Sequence, residues 1–408
     1  MDKQKLKIAL VAQEYPPETA RGGIGSQTFS KAHGLADFGH KVFVISRSTN
    51  QQRHEVSIGN ITVIRIPGME NDIPDMTEIV QWITHSVVVA KEIDSLHARE
   101  GLDIVDFPEW SAEGYTFLLN RTAWNTIPTV IQLHGSLVMF SHVMNWPEID
   151  SEFYKVGTHM EAICTTLADA IYSSSNCSAE WVKKYYGAEQ KDIPVIHLGI
   201  DLQLFKPQAV VKNNYPTIVF IGKIVPNKGI EELTDAGIAL YKEFPGIRLR
   251  IIGNGDEKYI ASLKAKSIDG GAANLLDFAG YIQKEQLPIE LARSHVFAMP
   301  SYYEGGPGFV FLEAMGCGLP VIGCSGSGVE EIITDQVNGI MVPPKDAAAL
   351  EEALKKILQD RSFANSLGSA ARKFVEAEAD SRKCMLKLEA FYKKVIMETG
   401  HANQKPVN

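Results

Sequence analysis

The stretch 296–324, VFAMPSYYEGGPGFVFLEAMGCGLPVIGC, holds the chain's densest set of groups able to grip a polar ligand. Glu304 and Glu313 bracket a loop that contains Gly306 and Gly308. An apolar run, Val296–Met299, ends at Pro300, and a helix-like segment and a second apolar run come after the loop. Two acids, flexible backbone and a helix start therefore meet at the end of a strand. Backbone N–H groups in such a place hold anionic or hydroxyl-rich ligands, and carboxylates accept from sugar hydroxyls. On these residues alone a second reading stays open, with Glu304 capping the next helix and Glu313 on a helix surface.

Four further sets of residues carry potential chemistry. GKIVPNKG, Gly222–Gly229, places Lys223 and Lys228 between a strand end and a helix start. Two ammonium groups there make a phosphate clamp that would neutralise charge on a leaving diphosphate, unless both are solvated loop lysines. His134 in VIQLHGS closes another apolar run, where it is a ligand-positioning or a structural histidine. Gly22 and Gly23 precede a helix and permit close backbone approach, although Gly-Gly-Ile-Gly lacks GxGxxG spacing. In DFPEWSAEGY, Glu109, Trp110 and Glu113 could bind a polar acceptor with Trp110 as a stacking platform, or form a helix cap beside a packed tryptophan. Ser174-Ser175-Asn176 reads as a helix cap. No Asp-x-Asp or His/Asp/Glu cluster with metal-ligand spacing stands out, so the expectation is no metal, with lysines and helix N-termini supplying positive charge.

The elements that must position these groups alternate between short β-rich runs and longer helical patterns. The pattern predicts strands at Leu6–Ala12, Val42–Ser46, Ile61–Ile66, Asp103–Phe107, Thr129–His134, Ala170–Ser174 and Val195–Leu198. It predicts helices near Ser26–Phe38, Glu78–Arg99, Ser111–Arg121, Glu152–Leu167 and Ala179–Tyr186. Residues 201–216, with Pro207 and Pro216, lose the period and read as a linker. The rhythm then restarts: strands at Thr217–Gly222, Arg248–Ile252, Leu275–Ala279, Val296–Met299, Val321–Gly323 and Gly339–Val342, with helices between them. Ser362–Ala377 and Asp380–Met397 are the last helices. The expectation is an α/β protein of two doubly wound domains, 1–200 and 217–379, with a ligand crevice between them, a closing helix at 380–398 and a disordered tail at 399–408.

Composition narrows the partners. With 408 residues the chain suits two cores rather than one. A net charge of −9 argues against nucleic acid as the main partner. Five cysteines without CxxC spacing fit a reduced, cytoplasmic setting. The start MDKQK has no apolar leader, and no run is long enough to span a bilayer. Lys3, Lys5 and Lys7 leave at most a peripheral membrane contact, their alternative being a solvated strand edge.

The order and spacing of these motifs resemble glycosyltransferase family 4 over roughly residues 6–395. The glutamate-bracketed loop and the lysine pair carry most of the likeness. GHKVFVIS, VIHLGIDLQLFKP, LRIIGNGDE, FAGYI and NGIMVPPKD add coverage. The resemblance implies the GT-B fold, two Rossmann-like domains facing a central cleft, with the last helix crossing back to the N-terminal domain. That domain would bind the acceptor and the C-terminal one the nucleotide sugar.

The resemblance also implies roles for individual residues. Lys223 and Lys228 would hold the diphosphate, Glu304 and His134 the donor sugar, and Glu313 the ribose. Backbone at Gly22, Gly23, Gly222, Gly306, Gly308, Phe309 and Val310 would approach the donor, with Tyr281 and Ile282 at the base. Two departures stand out: Lys223 replaces the usual arginine, and the eight residues Gly305–Leu312 between the acids are one more than the pattern. The implied activity is retaining, metal-independent sugar transfer from a nucleotide sugar, UDP-linked by preference. The acceptor would be a sugar, a lipid-linked or a small-molecule hydroxyl in glycan, glycolipid or glycoside synthesis. A nucleotide-sugar epimerase of the same fold and a non-catalytic sugar-nucleotide-binding protein are the alternatives.

Overall fold

The computed structural model describes residues 5–19, 23–68, 78–122, 126–197 and 199–402. They form two compact units. Unit 1 takes the chain up to 198 together with the segment from Cys384 onward, and unit 2 is Gly199–Lys383.

Unit 1 runs β1 (Lys7–Val11), α1 (Gly23–Asp37), β2 (Lys41–Ser48), β3 (His54–Ile58), β4 (Ile61–Pro67), α2 (Glu78–Glu100), β5 (Ile104–Pro108), α3 (Tyr115–Leu119), β6 (Thr129–Leu133), α4 (Leu137–Met144), α5 (Glu152–Leu167), β7 (Ala170–Ser173) and α6 (Asn176–Tyr186). Its sheet is ordered β3-β4-β2-β1-β5-β6-β7 and is parallel apart from the β3–β4 pair. Helices cover both faces, so β5 and β6 are buried along their whole length and read as unbroken apolar runs rather than alternation. The edge strand β3 was not expected: four of its five residues are exposed, so no apolar stripe marks it. Helix α4 was likewise unexpected. The segment expected as one helix, Ser111–Arg121, is broken by Ser111 and Ala112 at φ +60° and +48°, leaving a 3-10 turn and the short α3. Only an isolated bridge, Ser173 to Val195, stands where a seventh parallel run had been expected; Leu198 lies outside the described residues.

Unit 2 runs β8 (Thr217–Ile221), α7 (Ile230–Leu240), β9 (Arg248–Ile252), α8 (Glu257–Asp269), β10 (Leu276–Gly280), α9 (Leu287–Arg293), β11 (Val296–Ala298), α10 (Phe309–Gly316), β12 (Val321–Cys324), β13 (Ile340–Val342), α11 (Ala347–Gln359) and α12 (Arg361–Glu378). The sheet, β10-β9-β8-β11-β12-β13, is parallel throughout. Chain order departs from β8 in one direction and from β11 in the other, so the switch point lies between these strands. The loops after them, 222–229 and 299–308, therefore emerge side by side, as ligand crevices of open α/β sheets require. The segment expected as a linker, 201–216, falls within unit 2, where Phe205 is fully buried and Arg372 of α12 donates to its carbonyl at 2.7 Å.

The last helix, α13 (Ser381–Ala402), is longer than the sequence pattern predicts. The first four residues of the expected disordered tail are helical, and 403–408 lie outside the described residues. From Cys384 onward α13 belongs to unit 1. Tyr392 donates to Asp106 of β5, Glu389 pairs with buried His40 at 3.1 Å, and Met385 packs on Gly34, where an added Cβ would lie 2.5 Å from its Cγ.

Candidate active site

In unit 2 the two loops at the switch point are tied to each other. The Tyr302 N–H and Ser301 Oγ both donate to Asn227 O at 3.2 Å. Gly229 turns at φ +70°, and a Cβ there would lie 2.3 Å from Pro300 O, so only glycine permits this approach. On the far side, Gly328 N donates to Glu304 O at 2.9 Å. The Glu304 carbonyl is thus held by Gly328 while its side chain meets Lys228.

Lys228 and Glu304 form an ion pair, with side chains 21% and 14% exposed. The sequence reading gave them separate partners; the structure makes them partners of each other. Lys223, at the end of β8, is exposed, and Gly222 beside it is half-buried with its N–H on Ile252 O. Glu304 does not cap α10, whose N-cap is Gly308 without a side-chain hydrogen bond. Residues 304–308 are irregular and end on Gly308 at φ +65°. Phe309 and Val310 form the first turn of α10, whose amides have no intrahelical acceptor.

Glu313, one and a half turns into α10, is 4% exposed, which overturns its reading as a surface helix residue. Burial pushes its carboxyl up to about 7, opposed by Lys284, whose ammonium lies 3.9 Å away. No hydrogen bond to its carboxylate occurs among the described residues. Past β10, Tyr281 is 67% exposed and Ile282 packs against the unit 2 core. Sequence reasoning passed over Lys284, because a single lysine on a surface turn carries no motif.

In unit 1 His134 follows β6, as the sequence predicts. Burial lowers its pKa to about 3, with the charge of Lys31 adding to the effect, so the ring is neutral. The His134 backbone N–H donates to Glu109 Oε1 at 2.5 Å, and the Gly135 backbone N–H donates to the same oxygen. Glu109 is completely buried, and burial raises its carboxyl to about 7 despite these amides. Glu161 of α5 supports the same turn by accepting from Leu137 N at 2.9 Å and from the Tyr186 hydroxyl at 2.5 Å.

The expected acceptor set is corrected here. Glu109 gives Oε1 to the His134 turn, and its buried Oε2 has no hydrogen-bond partner among the described residues. Glu113 is 2% exposed, accepting from Gln13 N at 3.1 Å and lying 3.2 Å from His85 Nε2. Neither carboxylate is open to a ligand from solvent. Trp110 remains half-buried, with its ring 4.9 Å from Phe140 and 6.5 Å from the exposed Trp146. Gly23 opens α1 with nothing within 4 Å of an added Cβ, while Gly22 lies outside the described residues. Ser175 caps α6 through Ser178 N, as expected. Lys5 and Lys7 donate to Phe38 O and Glu100 O at the ends of α1 and α2, a capping role; Lys3 lies outside the described residues.

Beneath the turn, Lys31 of α1 is buried and gives hydrogen bonds to Asp106 Oδ2 and Gln132 Oε1 at 2.8 Å and to the Tyr172 hydroxyl at 3.0 Å. Burial lowers its pKa, opposed by Asp106. Sequence reasoning missed this network because its members are far apart in the chain.

Two family models match almost end to end: Glycosyltransferase Family 4 over residues 21–204 and Glycosyl transferases group 1 over residues 203–374. The chain belongs to glycosyltransferase family 4. A Methanocaldococcus jannaschii protein named as a glycosyltransferase is 26% identical across 91% of this chain and 93% of its own. A GDP-mannose-dependent alpha-(1-6)-phosphatidylinositol monomannoside mannosyltransferase of Mycobacterium tuberculosis is 31% identical over 195 residues, 44% of this chain. The matched region spans about half, 50%, of that mannosyltransferase's length. Among solved structures, sucrose-phosphate synthase from Thermosynechococcus elongatus superposes with a TM-score of 0.82 at 22% identity, covering 97% of this chain and 100% of the other. Anabaena HepE, solved with UDP and glucose, gives 0.73 at 20% identity, covering 95% and 99%. These likenesses establish the fold as GT-B, with two Rossmann-like domains.

Proposed function

We propose that the protein is a retaining glycosyltransferase that moves a sugar from a nucleoside-diphosphate donor to a hydroxyl acceptor. The observation that carries this reading is the meeting of Lys228 with Glu304 at the switch point of unit 2, on the helix-start loop that leads to buried Glu313. An ammonium at a strand end suits a diphosphate, and a buried carboxylate with no internal hydrogen bond suits a pair of ribose hydroxyls.

In this reading Lys223 and Lys228 neutralise the diphosphate as it departs, and no metal is required. Glu304 and the neutral ring of His134 orient the sugar, Tyr281 and Ile282 border the base, and the first turn of α10 faces the phosphates. The bond from the anomeric carbon to the phosphate oxygen breaks, and a bond to the acceptor oxygen forms on the same face. The acceptor proton passes to the departing phosphate oxygen. The protein's share is positioning and charge stabilisation. Unit 1 takes the acceptor, a sugar, lipid-linked or small-molecule hydroxyl. Among the described residues no helix is long and apolar enough to cross a membrane; a lipid-linked acceptor would be met by peripheral contact.

UDP is the first base to test, and GDP the second, since a relative is named for GDP-mannose. A thermal-shift screen of UDP-, GDP- and ADP-sugars should raise the unfolding midpoint with one base. Product analysis with that donor, with and without acceptors, then separates transfer from epimerisation. No shift with any nucleotide sugar would remove the reading.

A further inference from the structure

Glu313 can serve a ribose only as a carboxylate, because two hydroxyl donors need two acceptor oxygens. Burial in unit 2 works against that form, so something must hold the charge. The elements packed on α10 offer few groups that could. Arg372 of α12 is spent on the Phe205 and Gly316 carbonyls at 2.7 and 2.6 Å. Glu290 of α9 is taken by Arg250 at 2.9 Å. Cys317 on the same helix is a thiol whose pKa burial lifts to about 12, and β12 adds only the buried thiol of Cys324. Lys284 remains, on the 3-10 turn 284–286, with its ammonium 3.9 Å from Glu313 Oε1.

We infer that Lys284 is a positioning residue for nucleoside recognition: its ammonium keeps Glu313 ionised, so that both carboxylate oxygens accept from ribose hydroxyls. This rests on the donor-site reading given above. Lys284 is itself 47% exposed on its side chain, so its influence is partly screened and the expected effect is moderate. The turn that carries it follows the loop 281–283, so this one lysine links the base-bordering segment to the ribose carboxylate.

The test uses uridine, guanosine and adenosine, which carry no phosphate, so a contact between Lys284 and phosphate cannot contribute. Affinities are measured by calorimetry from pH 5 to 9 for the full chain and for Lys284→Gln, Lys284→Arg and Glu313→Gln. For the bound nucleoside, native affinity should fall as pH drops through about 7, the value to which burial lifts Glu313. In Lys284→Gln the fall should begin at higher pH, with affinity roughly threefold weaker at pH 7 and native-like at pH 9. Lys284→Arg should restore the native profile, and Glu313→Gln should bind weakly and without pH dependence. A Lys284→Gln profile lying on the native one, or displaced equally at every pH, overturns the inference while leaving the donor site intact. Native-like binding by Glu313→Gln overturns the donor-site reading and the inference with it.

Discussion

Two buried glutamates, Glu109 in unit 1 and Glu313 in unit 2, share a pKa near 7 and a single cause, desolvation, yet their surroundings differ. Glu109 receives two consecutive backbone amides on one oxygen and ties β5 to the turn after β6. Glu313 receives no hydrogen bond among the described residues and meets only an ammonium 3.9 Å away. Glu109 Oε2 is buried without a partner among the described residues, yet the other oxygen anchors the turn, which makes this carboxylate architectural. One held in a low-dielectric place without internal donors is a cost to folding that a ligand offsets. The shift in pKa therefore does not by itself separate function from structure.

The sharpest way to break this contrast is Glu109→Ala. It strands two buried amides and should lower stability by about 3 kcal/mol, read by denaturant unfolding of unit 1 tryptophans. A loss below ~1 kcal/mol would mean that the carboxylate is not the tie described. Lys228→Ala should act in the opposite manner. Transfer should fall by about 10²–10³-fold while the melting temperature stays near native, because the residue serves developing charge and not packing. Near-wild-type turnover would sink the assignment of Lys228.

Glu313→Gln should reveal the folding cost directly. A carboxyl raised from 4.5 to about 7 binds more protons folded than unfolded between these values. Its contribution to stability is present below pH ~4.5 and is lost as pH rises through about 7. The glutamine variant should therefore melt higher than native at pH 8, by up to ~3 kcal/mol in stability, and equal to native at pH 4.5. Equal melting at both pH values would contradict burial as the cause. The smallest effect is expected for Glu304→Gln, which releases Lys228 from a partly buried ion pair. Binding of the free nucleoside diphosphate should hold or tighten severalfold, about 1 kcal/mol, while transfer declines. A marked loss of nucleoside diphosphate binding would show that Glu304 does not compete for Lys228.

Much of this protein was legible in its sequence where signals are local. Buried parallel strands are continuous apolar runs, so β1, β5, β6, β8 and β9 emerge within a residue or two of their limits. A helix with one apolar face and a polar cap, Glu152–Leu167, appears at its true boundaries. The lysine pair and the glutamate-bracketed loop were readable as motifs because residue type and spacing are local to single strand–loop–helix units. Strand β3 and the 201–216 segment were not: an exposed edge carries no stripe, and the burial of Phe205 depends on partners more than a hundred residues away.

What only the tertiary structure decided is which charges are already taken. Glu109, Trp110 and Glu113 look alike from the sequence as acceptor residues, but folding buries the two acids against amides and a histidine and leaves the tryptophan at the surface. Lys228 and Glu304 are separated by 76 positions and become one pair. Lys284 acquires meaning only when a turn and a helix bring it to Glu313. Residue types and their order determine which groups the chain can offer. Their energies depend on distance and dielectric, and those exist only once the chain has closed on itself.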